Sequence, residues 1–171
     1  MASKSSSTSR GHHSPERLVQ RLNPSEPSSK VVAALTAIRT NFLTGSTVDP
    51  ALRPFIDNGV LLKKLFLLLE RPNSKIVDVG LSILGNLCLE SDVRRKIHDR
   101  TLRALPILVT ILTTISEEAI ICRASRVVAN LAQDATLAYR LHQSNALNVL
   151  VKVEEDVTTD KSRQVIVRAI R

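Results

Sequence analysis

Few side chains in this sequence have both the type and the spacing that chemistry requires. His98 and His142 stand 44 residues apart at the ends of corresponding short helical stretches, which marks them as repeat-equivalent junction residues. Cys88 and Cys122 are the two cysteines, and both fall in apolar helical stretches without metal-ligand or redox spacing. They read as buried free thiols of a reducing compartment. His12-His13 has no further ligand nearby to complete a metal site. Ser14-Pro15 could take proline-directed phosphorylation, and it is equally a helix start, with Ser as N-cap and Pro in the first helical position. There is no phosphate-binding glycine loop and no nucleophile motif. The expectation is a non-enzymatic protein without catalytic residues, cofactor or metal.

What does recur is asparagine in an apolar frame. Ile83-Leu84-Gly85-Asn86-Leu87-Cys88 returns as Val127-Val128-Ala129-Asn130-Leu131-Ala132 and is foreshadowed by Ile38-Arg39-Thr40-Asn41-Phe42-Leu43. The spacings are 45 residues from Asn41 to Asn86 and 44 from Asn86 to Asn130. A side-chain amide carries both donors and an acceptor, so such a row could clamp a peptide backbone or bridge neighbouring helices.

A period near 44 in helix-type sequence predicts stacked helical repeats, each unable to bury its own apolar face without a neighbour. The 171 residues are 43% apolar but only 2% aromatic, with no Trp, which suits packed helices better than sheets. The most apolar run, Leu105 to Ile115, is far short of the roughly 20 residues that span a bilayer. No apolar leader precedes the repeats, so the expected location is the cytoplasm, with the nucleus also open to it. A net charge of +8 would draw acidic surfaces, nucleic acid or anionic lipid.

Residues 1–29 are rich in Ser and Pro and predict a disordered tail, within which a short helix from Pro15 to Leu22 is allowed. The repeats then occupy about 30–70, 71–115 and 116–156, with a partial one at 157–171. In the first, Ser28 or Ser29 can cap a helix with apolar positions at 31, 34, 35, 38 and 42. Asp57-Asn58-Gly59 supplies a left-handed turn before Val60 to Glu70. Ser74 is the expected cap of Lys75 to Leu89, where Gly80 and Gly85 mark close helix crossings. In the second repeat Arg103-Ala104 replaces the glycine turn, predicting a blunter junction before a helix proper from about Leu105. In the third, Ser116-Glu117-Glu118 forms the cap and acidic first turn, and Asn145 takes the left-handed place that Gly59 held. The chain stops at Arg171, inside a helix and just before the framework asparagine would return, which predicts a fragment or short product of a longer protein.

A unit of three helices, with a glycine turn before the second and Leu-Gly-Asn-Leu in the third, resembles the armadillo repeat over Lys30 to Arg171. The implied fold is an all-α, right-handed armadillo α-solenoid of about three and a half repeats behind a disordered N-terminal tail. Segments such as Gly80 to Leu84, Leu108 to Leu112, Arg123 to Ala132 and Val167 to Arg171 are similar to the branch of the family in which a BTB domain follows the array and recruits cullin-3. That resemblance implies an interaction scaffold, the substrate-binding part of a ubiquitin-ligase adaptor. The nuclear-import branch carries tryptophan four residues before the asparagine; Ala37, Ser82 and Arg126 stand there instead, so binding of basic nuclear signals is not implied.

The resemblance also implies a concave face made by the third helices. It would expose Asn41, Ala37 and Ala34, then Asn86, Ser82 and Val79, then Asn130, Arg126 and Arg123, with Arg168 and Val165 as the last counterparts. Arg123, Arg126 and Arg168 would form a basic stripe for a protein partner with an acidic or phosphorylated segment, because guanidinium binds such anions bidentately. The uncapped C-terminal repeat offers a surface for a homo-oligomer. No membrane partner is expected. A nucleic-acid or anionic-surface module is the second reading, against which stand the few aromatics, Phe42, Phe55, Phe66 and Tyr139, all read as core or near-core.

Overall fold

The computed structural model describes residues 14–44 and 47–171. Among them are helices α1 (Pro15–Arg21), α2 (Ser28–Phe42), α3 (Arg53–Asp57), α4 (Val60–Leu69), α5 (Ser74–Leu87), α6 (Ser91–Lys96), α7 (Ala104–Thr114), α8 (Glu118–Leu131), α9 (Ala135–Gln143), α10 (Ala146–Asp156) and α11 (Asp160–Ile170). A 3-10 turn, Arg100–Leu102, precedes α7. The long helices stack in series, α2 on α5, α5 on α8 and α8 on α11. The medium helices α4, α7 and α10 form a second row that packs against them, and the short helices lead into it. Contacts therefore group the chain as three triplets, α3–α5, α6–α8 and α9–α11, preceded by the pair α1–α2.

The inner long helices α5 and α8 are each sandwiched between two others, which explains their sequence. In α5 the residues Ile76, Val77, Val79, Leu81, Ile83, Leu84 and Leu87 are all buried, far more than one amphipathic stripe. Gly80 lets α5 approach α4 closely: a Cβ there would sit 3.1 Å from Leu69 Cδ2, so the leucine side chain would have to shift by a few tenths of an ångström. The core is one continuous cluster from Leu18 to Ile166.

Residues 1–13 of the expected tail lie outside the described residues. From Ser14 the chain is already structured: α1 starts at Pro15, and Leu18, Val19 and Leu22 are buried against the first long helix. The outer face, Glu16, Arg17, Gln20 and Arg21, is exposed, so this short helix covers the start of the stack with a polar surface. One feature departs from an all-helical reading: Leu43–Thr44 and Thr47–Val48 pair antiparallel, drawn off the helix by the buried Leu43 in extended backbone.

The junctions between short and medium helices are alike in all three triplets. Gly59 (φ 74°), Arg103 (φ 50°) and Asn145 (φ 65°) each hold the left-handed conformation just before the medium helix. The blunter junction expected at Arg103-Ala104 is thus corrected. Stacking of α7 on its neighbours imposes the turn even on arginine, a residue that gains nothing from it. The caps also shift by one residue. Asn73, not Ser74, caps α5: its extended backbone (φ −137°, ψ 102°) precedes the first helical residue, Ser74, and its side chain accepts from the Ile76 N–H at 3.0 Å, while the Ser74 hydroxyl donates to Glu117 at 2.5 Å. Neither Ser28 nor Ser29 caps α2: its N-cap is Pro27, and Ser28 accepts from Arg71. At the third long helix Glu117 takes the N-cap place without a side-chain cap bond.

The left-handed junctions predict opposite substitution effects. Gly59→Ala meets no atom within 4 Å, so its cost is backbone strain alone, about 1–2 kcal/mol. Arg103→Gly removes the same strain and should raise stability by about 1 kcal/mol, less the small contribution of the exposed Arg103–Glu70 pair. Urea unfolding of both variants beside the parent checks the two signs.

Candidate functional site

The long helices present one edge of each to a common face, and most polar side chains on it reach back one repeat. Arg123 Nε donates to Asp78 Oδ1 at 2.5 Å, joining α8 to α5. Arg126 Nη2 donates to Asn86 Oδ1 at 2.6 Å. Asn130 Nδ2 donates to the Gly85 carbonyl at 2.8 Å, a buried bond made possible by the close approach of the two helices. One repeat on, Glu118 accepts from the hydroxyls of Thr158 and Thr159, tying α8 to the start of α11. Hydrogen bonds from Ser162, Thr159 and Thr158 push the Glu118 pKa down to about 2.

The candidate positions therefore divide. Ser82 and Asn130 are only 8% exposed and belong to the packed interior. Ala34 and Val79 are buried. Ala37, Asn86, Arg123 and Val165 are half-buried, whereas Asn41, Arg126 and Arg168 are exposed. The continuous stripe of free arginines is not present: Arg123 is neutralised by Asp78 and Arg126 is engaged by Asn86. Arg168 alone of the three bonds no protein acceptor among the described residues.

Between α8 and α11 the face deepens into an open groove of about 1050 Å³, whose lining carries five cations, Arg126, Lys161, Arg163, Arg168 and Arg171, against one carboxylate, Asp160. Leu89, 38% exposed, and Ala129 and Val165 give it an apolar part. Leu89 and Lys161 were not singled out from sequence. Leu89 lies just past the end of α5, beyond the periodic stripe, while Lys161 sits seven residues before Arg168, a helical spacing that could have revealed it.

Much of the positive charge serves the scaffold elsewhere. Lys64 Nζ donates to the Leu22 carbonyl at 2.9 Å, Lys96 Nζ to that of Asp57 at 3.1 Å and Arg140 Nη1 to that of His98 at 3.1 Å. Each acceptor lies at or just beyond a helix C-terminus, where a cation is favoured. Such bonds need no acidic partner, so they leave a net positive protein. His98 also contacts Asp134 across the repeat boundary, Nε2 to Oδ1 at 3.0 Å, consistent with its reading as a junction residue. Burial pushes the Cys88 thiol up to about 12, which keeps it in its unreactive form. Phe66 is fully buried, but Tyr139 is 63% exposed on α9, a correction to its core reading; packing of α9 turns the ring outward, and its hydroxyl accepts from Gln143 at 2.9 Å.

Comparison with known proteins bears on the same helices. The family model described as ARMC5 matches residues 75–171, more than half of the chain. No curated protein matches significantly. Among solved structures, the designed armadillo repeat protein YIII(Dq)4CqI superposes with a TM-score of 0.75 at 21% identity, covering 94% of this chain and 63% of its own. A structure described as computationally designed armadillo repeat proteins for modular peptide recognition gives 0.75 at 22% identity, with the same coverage of 94% and 63%. The designed protein YIII(Dq.V1)4CPAF, in complex with the peptide (KR)4, gives 0.73 at 22%, covering 90% and 63%. The chain spans 63% of the length of each of these structures. The fold is the armadillo α-solenoid.

Two outcomes follow from the inter-repeat bonds. Asn130→Ala orphans a buried carbonyl and should cost about 1–3 kcal/mol in urea unfolding, whereas Asn86→Ala, half-exposed, should cost less than about 1 kcal/mol. For Glu118 the folded pKa is depressed from 4.5 to about 2, so its contribution is complete above pH 4.5 and is lost as pH falls toward 2. The stability gap between the parent and Glu118→Gln, measured by denaturant titration at stepped pH, should therefore close over that window.

Proposed function

Because this chain belongs to the ARMC5 family of armadillo-repeat proteins, we propose that it is a non-enzymatic interaction scaffold whose α8–α11 groove takes an extended protein segment bearing acidic or phosphorylated side chains. The observation that carries this reading is the groove itself. Arg168 and Lys161 are exposed on α11, Arg126 faces them from α8, and Leu89 and Val165 supply apolar floor between. An extended chain laid across the long helices would meet cations at successive turns, and guanidinium groups hold carboxylate or phosphate with two parallel bonds. Peptide recognition by the designed armadillo proteins, one of them bound to (KR)4, supports an extended segment as the occupant. The charge differs: the walls of this groove are basic, which favours the opposite sign of peptide.

In the family branch that the sequence resembles, a BTB domain after the array recruits cullin-3. In that setting the groove would be the substrate-facing surface of the ligase adaptor. The nucleic-acid reading keeps the net charge of +8, but no aromatic side chain lines the groove to stack on a base.

The test is fluorescence-polarisation binding of two blocked octapeptides, (EA)4 and (KA)4, to the parent and to a Lys161→Glu/Arg168→Glu variant. Neither side chain bonds another residue among those described, so circular dichroism of the variant should match the parent. The expected result is binding of (EA)4 alone, weakened about tenfold or more by the double change, equivalent to about 1.4 kcal/mol. Equal binding of both peptides, or of (EA)4 to both proteins, would sink the groove.

A further inference from the structure

Leu89 is a large apolar side chain at a place where the repeat does not need one. It stands three residues past Asn86, and the places three past Asn41 and Asn130 are held by Thr44 and Gln133, both polar and exposed. Leu89 is itself 38% exposed. Among the described residues, the other large apolar side chains exposed to this degree are Val60, Leu67, Tyr139, Leu147 and Val151, all on the short and medium helices α4, α9 and α10. Leu89 opens instead into the α8–α11 groove. The backbone that carries it is held in place, because Arg94 Nη1 donates to the carbonyls of Cys88 and Leu89 at 2.8 and 2.9 Å.

Around Leu89 the groove alternates charge with hydrocarbon. Lys161, Val165 and Arg168 follow one another on α11 at spacings of four and three, which puts them on one face of the helix. On α8, Ala129 follows Arg126 by three. All five line the groove with Leu89. The cations draw acidic side chains, but an occupant made only of acids and small residues leaves Leu89, Ala129 and Val165 in water. A long aliphatic side chain would cover them, and removing apolar surface from water is favourable in proportion to its area.

We infer that Leu89 is a specificity-determining residue of the groove: it selects acidic segments in which a large aliphatic side chain stands among the acids over segments that carry acids alone. This rests on the groove reading above and deepens it. The cations supply attraction and Leu89 supplies discrimination, and the two respond differently to salt. Ions screen the exposed charges, whereas the burial of apolar surface is not screened. Added salt therefore weakens all acidic segments while the preference for the aliphatic one persists.

The test is fluorescence-polarisation binding to the intact chain of (EA)4, of (EA)4 with leucine in place of its second alanine, and of (EA)4 with asparagine there. The three peptides carry the same charge. The parent should bind the leucine peptide about fivefold or more tighter than (EA)4, and the asparagine peptide no tighter than (EA)4. Leu89→Gln copies what the next repeat carries at Gln133, so its circular dichroism should match the parent. That variant should leave (EA)4 binding unchanged and bring the leucine peptide down to the same level. Equal affinity of the parent for all three peptides, or a leucine preference that persists in Leu89→Gln, overturns the inference while the groove stands. If none of the peptides binds the parent, or all bind unaffected by Lys161→Glu/Arg168→Glu, the groove reading fails and the selectivity of Leu89 falls with it.

Discussion

The long helices α2, α5, α8 and α11 bury their apolar surfaces against one another and against the row of medium helices, and the rest of the structure follows from that stacking. Gly80 leaves room for the Leu69 side chain on α4, and the stacking brings α8 close enough for Asn130 to reach the Gly85 carbonyl. It also holds a row of helix edges on one side, so that residues 40 or more positions apart in sequence become neighbours. Asn86 with Arg126 and Asp78 with Arg123 are such pairs. Polar bonds of this kind recur between successive repeats, from α8 back to α5 and from the start of α11 back to α8.

This arrangement gives the positive charge two uses. Cations that donate to helix-terminal carbonyls or to carboxylates of the preceding repeat hold the array together, and they do so at positions that recur: Lys96 and Arg140 stand 44 residues apart and make equivalent bonds. Lys161 and Arg168 of α11 stand in the groove instead, whereas Arg163 pairs with Glu154 of α10. Binding surface and scaffold are thus built from the same residue types, distinguished by whether an acceptor lies one repeat back. Arg126 belongs to both, bonded to Asn86 one repeat back and exposed in the groove.

The sequence carried the fold well because the fold is periodic. The recurring asparagine frame, the apolar stripes and the left-handed places at Gly59 and Asn145 all repeat at one interval, and local physics at each copy supports the others. Arg103 escaped because its left-handed backbone comes from packing, not from any preference of arginine. Ser74 resembles a cap in sequence because Asn73-Ser74 offers two adjacent capping residues; the extended backbone of Asn73 settles which of them caps and leaves Ser74 in the first turn. The candidate site was less legible. Repeat position placed Arg123 and Arg126 on the right face, but their partners depend on the offset between helices. A charge of opposite sign one period away, Asp78 for Arg123, was the signal that could have shown the pair. The asparagines illustrate the same limit: equivalent by position, Asn130 is buried as a bridge and Asn86 stays half-open.

The central claim is that binding falls on the long-helix face between α8 and α11 rather than on the medium-helix row. The most direct measurement is an amide NMR titration of the isotope-labelled chain with (EA)4. Shifts concentrated at Arg126 to Asn130 and Lys161 to Arg168, with little change along α4, α7 and α10, are the result the account predicts. Shifts centred on the crevice between α4 and α7, around Leu69, Pro106 and Ile111, would contradict it.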